Sequence, residues 1–321
     1  MMSVPEQTAN RIATVTLNPA IDQTISVPNF AVDQVNRVTT SRTDPGGKGI
    51  NVASILADYG LPVAVTGFLG KENTHLFEEL FARKAIQDRF VRIAGHTRTG
   101  IKVIDEANGT TTDINFPGQP PTDANIQDLL TTVDELTQSC GWFVLSGSIP
   151  ASAPVDLYKQ LVARIRSAGR KVALDTSGPG LRAALPAGPT LIKPNIHEME
   201  EVIGRSLADR AEIVAEAQLW RQAYSIDVVE VSMGAEGALL VTGESARHAQ
   251  TPSVTVKSTV GAGDAMMSGL VAGLYQDLDL TACARLATAF AAGAITFVGS
   301  GLPDVALLQT LTDQVAVEEI E

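Results

Sequence analysis

Short runs of β-branched and apolar residues alternate with longer amphipathic stretches along most of this 321-residue chain. The clearest runs cover 12–17, 63–68, 142–146, 171–175, 190–193, 227–232 and 237–241, and helical patterns fill 51–59, 74–84, 154–168 and 210–224. A short strand followed by a helix-length crossover returns the chain to the same sheet in parallel, so the alternation predicts βαβ units. The expected fold is an α/β domain spanning 1–321, doubly wound around a mostly parallel sheet with helices on both faces. Such sheets bind ligands beyond the carboxyl ends of their strands. Polar or glycine-rich clusters fall at those ends here: "NPAID", "GFLGK", "SGSIP", "DTSGPG", "KPNIHE" and "SMGAEG".

Two stretches break the pattern. Residues 22–42 and 97–116 alternate, are rich in Thr, Val and Ile, and hold no long helix; Asn108-Gly109 is a two-residue hairpin signal. They are expected to build a small accessory β-sheet, which acts as a lid over the strand ends or is a surface hairpin only.

Charge and cysteine usage narrow the partners. With 24 Lys and Arg against 36 Asp and Glu, the net charge of −12 argues against a nucleic acid or an anionic membrane. A small anion stays compatible, because a few cations and a helix N-terminus can hold it locally. Cys140 and Cys283 have no CxxC or metal-ligand spacing and read as buried thiols of a reducing compartment. The N-terminus lacks the features of a signal peptide, and no apolar run has membrane-spanning length and flanks. The nearest, "LATAFAAGAITFVGSGLP", reads as a buried helix and the loop after it. A soluble cytoplasmic protein is expected.

Several familiar motifs are missing. "GGKGIN" and "GFLGKEN" lack the hydroxyl that follows the lysine of a Walker A loop, "HEMEE" lacks the second histidine of HExxH, and no G-x-S-x-G occurs. His75, His96, His197 and His248 are scattered. A degenerate GxGxxA at 178–183 contains Pro179 and reads as a loop.

The remaining motifs carry chemistry together. In "TVGAGDAMMSGLVAGLY", Asp264 follows Gly261, Ala262 and Gly263 at the start of an uncharged helical run. Free N–H groups at such a turn make an anion hole, and the aspartate either caps the helix or takes a proton from an attacking hydroxyl. "GGKGIN" supplies Gly46 and Gly47, against which a polyol can pack, then Lys48 and Asn51; Asn51 either bonds hydroxyls or caps the helix. In "KPNIHE", Asn195 and Glu198 share a helix face after Lys193, and either hold a hydrated Mg²⁺ or form a capping box. Ser232, Gly234 and Gly237 of "SMGAEG" form a turn suited to backbone contact with a nucleotide, or a plain hairpin.

The ordered set "TLNPAID", "GGKGIN", "TRTGIKV", "SGSIP", "KPNIHE", "VSMGAEG" and "STVGAGDAMMSGL" resembles the ribokinase-like family of sugar kinases, in its phosphosugar branch, over about residues 11–303. The resemblance implies a doubly wound domain with a β lid from about 22–42 and 97–116, through which two subunits often pair as a homodimer. It implies Asp264 as catalytic base, with Gly261, Ala262 and Gly263 as the anion hole for the transferred phosphoryl group. Asp22, Gly46, Gly47, Lys48 and Asn51 match substrate positions, and Arg98, with Ser148 assisting, matches the group that binds the phosphate already on the sugar. Some phosphosugar kinases carry a further lysine where Val35 stands, so Arg37 or Lys102 is the candidate second cation. Lys193, Asn195, Ser232, Gly234 and Gly237 match the nucleotide side, and Glu198 with Asn195 the Mg²⁺ region.

The implied reaction is transfer of the γ-phosphoryl group of MgATP to a hydroxyl of a ketohexose phosphate. Fructose 1-phosphate is the first expectation, with tagatose 6-phosphate and fructose 6-phosphate as alternatives. An NAD-dependent oxidoreductase would need its glycine fingerprint where "NPAID" follows the first strand, and a non-catalytic sugar-binding module would have no need of Asp264 or the glycine turn.

Overall fold

A computed structural model describes residues 10–297, 299 and 301–320. Among them an 11-stranded sheet forms the centre. Val63–Gly70, Arg11–Thr16, Cys140–Ser146, Lys171–Asp175, Leu191–Ile192 and Val228–Ser232 follow one another in parallel. Ala238–Val241, Ala246–Ala249 and Val317–Ile320 extend one side in antiparallel pairing. The parallel strands are apolar on both sides because helices cover both faces. Ile12, Val144, Ala173, Leu191 and Val228 face the helices Lys48–Asp58, Ala262–Tyr275 and Leu280–Ala294. Ala13, Phe143, Val172, Leu174 and Val229 face Asp123–Leu136, Leu157–Ser167 and Arg210–Tyr224. The doubly wound fold expected from the alternation is therefore the one observed.

Burial explains the uncharged run behind Asp264. The Ala262–Tyr275 helix lies on one face of the sheet between the Lys48–Asp58 and Leu280–Ala294 helices, and a Cβ on Gly269 would come within 2.7 Å of the Ala287 backbone. Small residues thus let the two helices approach closely enough to fix where the first one begins. That start packs beside the Lys48–Asp58 helix.

A second, 4-stranded sheet runs in the order Thr40–Gly46, Ala20–Ser26, Arg98–Asp105, Thr110–Asn115. These strands lie within or beside the two stretches that broke the alternation. Its outer strand is exposed throughout, as are Val32, Val35, Val38, Ile114 and Phe116.

Local differences from the sequence expectations have local causes. The Asn108-Gly109 hairpin closes through four residues, 106–109, because the Asp105 carboxylate accepts N–H bonds from Ala107 and Asn108 and so shapes a wider turn. The same carboxylate accepts from the Asn29 and Phe30 backbones and anchors the segment between the strands Ala20–Ser26 and Thr40–Gly46. The supposed loop at 178–183 is the helix Gly178–Ala184; Pro179 falls in its first turn, where a missing N–H costs nothing. Cys140 and Cys283 are buried free thiols. No helix among the described residues is long and apolar enough to cross a membrane.

Candidate active site

The carboxyl ends of the parallel strands, the glycine turn at 46–47 and the start of the Ala262–Tyr275 helix converge. Gly261, with φ 82°, caps that helix without a side-chain bond, and Ala262 N donates to Thr259 O over 3.4 Å. Asp264 stands in the first turn but does not cap it. Its carboxylate is buried and reaches across to the neighbouring helix, where Asn51 Nδ2 donates to Oδ2 over 2.8 Å. Asn51 likewise caps nothing; Gly47, with φ 120°, opens its helix.

Electrostatics gives Asp264 the character of a base. Burial, then the charge of Asp175, pushes its carboxyl up to about 6; Lys48, the Asn51 bond and Lys193 pull the other way. Such a group is mostly ionised near neutral pH yet more basic than an exposed aspartate, which is the compromise general-base catalysis requires.

Asp175 ties the two lysines together, and motif reasoning passed it over. It ends a parallel strand and is 2% exposed. Lys48 Nζ lies 3.4 Å and Lys193 Nζ 3.7 Å from its Oδ1, while Ser146 Oγ donates to Oδ2 over 3.3 Å. Burial alone would push the carboxyl up, toward its neutral form, but Lys193 and Lys48 together outweigh burial and hold it below its ordinary value. The signal available in the sequence was an acid at the end of an otherwise apolar strand. Lys193 also borders the glycine turn: a Cβ on Gly263 would stand 3.4 Å from its Nζ. The centre thus holds Asp264, Asn51, Lys48, Asp175, Lys193 and the 261–263 turn in one cluster.

A second group lies at the base of the small sheet. The Asp22 carboxylate fills the space over Gly46, where any Cβ would collide with it, and also crowds the Cα of Gly100. Burial pushes Asp22 above its ordinary value against the pull of Arg98 and Lys102. Arg98 donates to Asn115 Oδ1 at 3.3 Å, Phe116 O at 3.4 Å and Asn18 O at 3.5 Å, and its Nε is buried without a partner among the described residues. Asn18 Nδ2 donates to Ser148 Oγ over 3.0 Å, so Asn18, also passed over by motif reasoning, links Ser148 to the arginine. Of the two candidate second cations, Lys102 pairs with Asp113 and acts on Asp22, while Arg37 lies exposed between the strands Ala20–Ser26 and Thr40–Gly46.

The third group adjoins Lys193. Ser232 N donates to Pro194 O over 3.0 Å, and Asn195 and Ser232 form a parallel bridge that brings "KPN" and "SMG" together. Gly234 and Gly237 both take positive φ in the tight turn that follows. Asn195 and Glu198 form the capping box: Glu198 N donates to Asn195 Oδ1 over 2.8 Å, and Asn195 N to Glu198 Oε2 over 2.9 Å. That bond commits Oε2 and leaves Oε1 as the oxygen for a hydrated cation. No group of three or more His, Cys, Asp or Glu side chains able to hold a metal occurs among the described residues. A single carboxylate oxygen suits Mg²⁺ that keeps its waters and takes its other ligands from phosphate.

Comparison with known proteins bears on this geometry. The pfkB family carbohydrate kinase profile matches residues 15–306. A 1-phosphofructokinase of Rhodobacter capsulatus is 47% identical over 97% of this chain and 98% of its own. Phosphofructokinase-2 from Escherichia coli, in a crystal structure with substrates and products, superposes with a TM-score of 0.89 at 29% identity, over 94% of this chain and 98% of that one. Ribokinase of Arabidopsis thaliana, at 18% identity, shares the fold with a TM-score of 0.75 over 95% of this chain and 99% of its own.

Proposed function

The chain belongs to the pfkB family of carbohydrate kinases, and on that footing we propose that it transfers the γ-phosphoryl group of MgATP to the C6 hydroxyl of fructose 1-phosphate. It is a phosphotransferase with an alcohol acceptor. The observation that carries the substrate reading is the 47% identity to a 1-phosphofructokinase along nearly the whole of both chains.

Each step falls to residues of this chain. Asp22, Gly46, Gly47 and Asn51 receive the sugar hydroxyls, and Arg98 with Ser148 the phosphate already on the sugar. Asp264 accepts the proton of the attacking hydroxyl, whose oxygen bonds to the γ-phosphorus as the bond to the ADP oxygen breaks. The N–H groups of Gly261, Ala262 and Gly263 take up the charge of the transferring group and the Lys193 ammonium binds the nucleotide, while Lys48 stays close to Asp264. Phosphoryl transfer is mostly positioning and charge stabilisation, which this set supplies. Ser232, Gly234 and Gly237 line the nucleotide with Asn195, and Glu198 would hold the hydrated Mg²⁺ that accompanies ATP, whose charge would screen the phosphates.

The exposed Val32, Val35, Val38, Ile114 and Phe116 on and beside the small sheet support pairing of two subunits there, with the sheet acting as a lid. Two buried free thiols support a reducing, cytoplasmic location.

A coupled assay of ADP release with fructose 1-phosphate, fructose 6-phosphate and tagatose 6-phosphate tests the reading. The highest kcat/KM is expected with fructose 1-phosphate. A higher value with either 6-phosphate assigns the chain to that substrate instead, and no turnover with any of the three rejects the phosphosugar reading.

A further inference from the structure

The polar row at the strand ends continues past Lys193. Leu174 pairs with Ile192, and Ile192 with Val229, so the next residues of the three strands, Asp175, Lys193 and Glu230, lie side by side on one face. This is the face of Ala173, Leu191 and Val228, covered by the helices Ala262–Tyr275 and Leu280–Ala294. Glu230 is 1% exposed, and neither of its carboxylate oxygens has a hydrogen-bond partner among the described residues. The charged and titratable groups around it are few. Lys193 is on the next strand, Asp175 one strand further, and Cys283 on the covering helix. On the other side, beyond Leu240, Arg247 is paired with Glu319. Lys193 is therefore flanked by two buried acids, and its ammonium goes to Asp175, leaving Glu230 without a donor.

We propose that Glu230 is a positioning residue for Lys193: protonated, it leaves the ammonium to Asp175 and the glycine turn, and ionised, it becomes a competing acceptor that draws the ammonium away. The inference rests on the reading of Lys193 as a nucleotide-side cation. A carboxyl buried without donors takes its neutral form, since the charged form is the one that desolvation penalises. Burial pushes Glu230 up to about 8; Lys193 pulls it down and Asp175 pushes it further up. The acid is thus neutral around pH 7, and a negative charge arises beneath Lys193 as the pH rises past that value. Affinity for the nucleotide falls over that range, while turnover at saturation does not follow it.

Glu230→Gln, isosteric with the protonated acid, separates the readings. The KM for MgATP and kcat are measured on the full chain at saturating sugar phosphate from about pH 7 to about pH 9, a span that brackets the transition. The wild-type KM is expected to rise several-fold while that of the Gln variant stays level, with matching kcat profiles. A variant KM that climbs in step with the wild type overturns the inference. Lys193→Met tells the two readings apart: an unchanged nucleotide KM in that variant removes the nucleotide-side role of Lys193 itself. A raised KM there, combined with a wild-type profile in Glu230→Gln, overturns the Glu230 role alone. Should the Gln variant not fold, calorimetry of ADP binding to the wild type in buffers of differing ionisation enthalpy gives the answer. Proton uptake at about pH 8 supports the inference, and no uptake or a release overturns it.

Discussion

Asn51 donates to Asp264 across 213 residues of sequence, from the first turns of two adjacent helices, over 2.8 Å. Each residue could have capped its own helix, and neither does. The bond holds the Asp264 carboxylate beside the uncapped glycine turn, so the proposed proton acceptor and the proposed anion hole share one helix start.

Asp264→Asn removes the acceptor and keeps the shape. The variant should fold and bind sugar phosphate normally but lose kcat by about 10²–10⁴, the usual contribution of a general base. Since the base must be ionised, wild-type kcat/KM should fall as pH drops through about 6. Near-normal turnover in the variant removes Asp264 from the chemistry.

Two variants should move that acid limb in opposite directions. The Asn51 bond lowers the Asp264 value, so Asn51→Leu shifts the limb to higher pH; the charge of Asp175 raises it, so Asp175→Asn shifts the limb lower. A common direction of shift in the two pH–rate profiles contradicts the assigned electrostatics.

Asp175→Asn also leaves Lys193, 4% exposed, without its anionic partner. Breaking a buried pair costs about 3–5 kcal/mol. The sign with pH follows from the depressed Asp175 value: its stabilisation is present above the ordinary aspartate range and lost as pH falls through the lowered one. Denaturant unfolding should show the deficit at neutral pH and its decline in acid.

Arg98→Ala should raise the KM for the sugar phosphate with little change in kcat, because a contact made equally in the ground and transition states is lost. The arginine already has neutral acceptors on Asn115, Phe116 and Asn18, so folding should survive. An unchanged KM places the substrate phosphate elsewhere.

Much of the fold was legible locally. Strand and helix periods, the glycine turns at 46–47 and 261–263, and the strands of the small sheet each depend on residues close in sequence, and the strands at 12–17 and 171–175 fall within a residue of expectation. The helix Gly178–Ala184 was missed because a proline and two glycines read as a loop when their placement in a helix's first turn is unknown. At the site, residue types at glycine turns marked Asp264, Asn51 and Lys48, and "KPNIHE" at a strand end marked Lys193. Asn18 of "NPAID" and Asp175 of "DTSGPG" carried no assigned role, Glu230 stands in no motif, and only neighbouring strands give them partners or deny them.

The sequence alone therefore determined the elements and the chemical groups offered at their ends, because backbone propensity and period act over a few residues. The tertiary structure decided what each group does. Sheet register lines up Asp175, Lys193 and Glu230, and the packing of two helices turns a would-be cap at Asp264 toward Asn51. A buried carboxylate takes its charge from what surrounds it, and those surroundings come from strands and helices far apart in the chain.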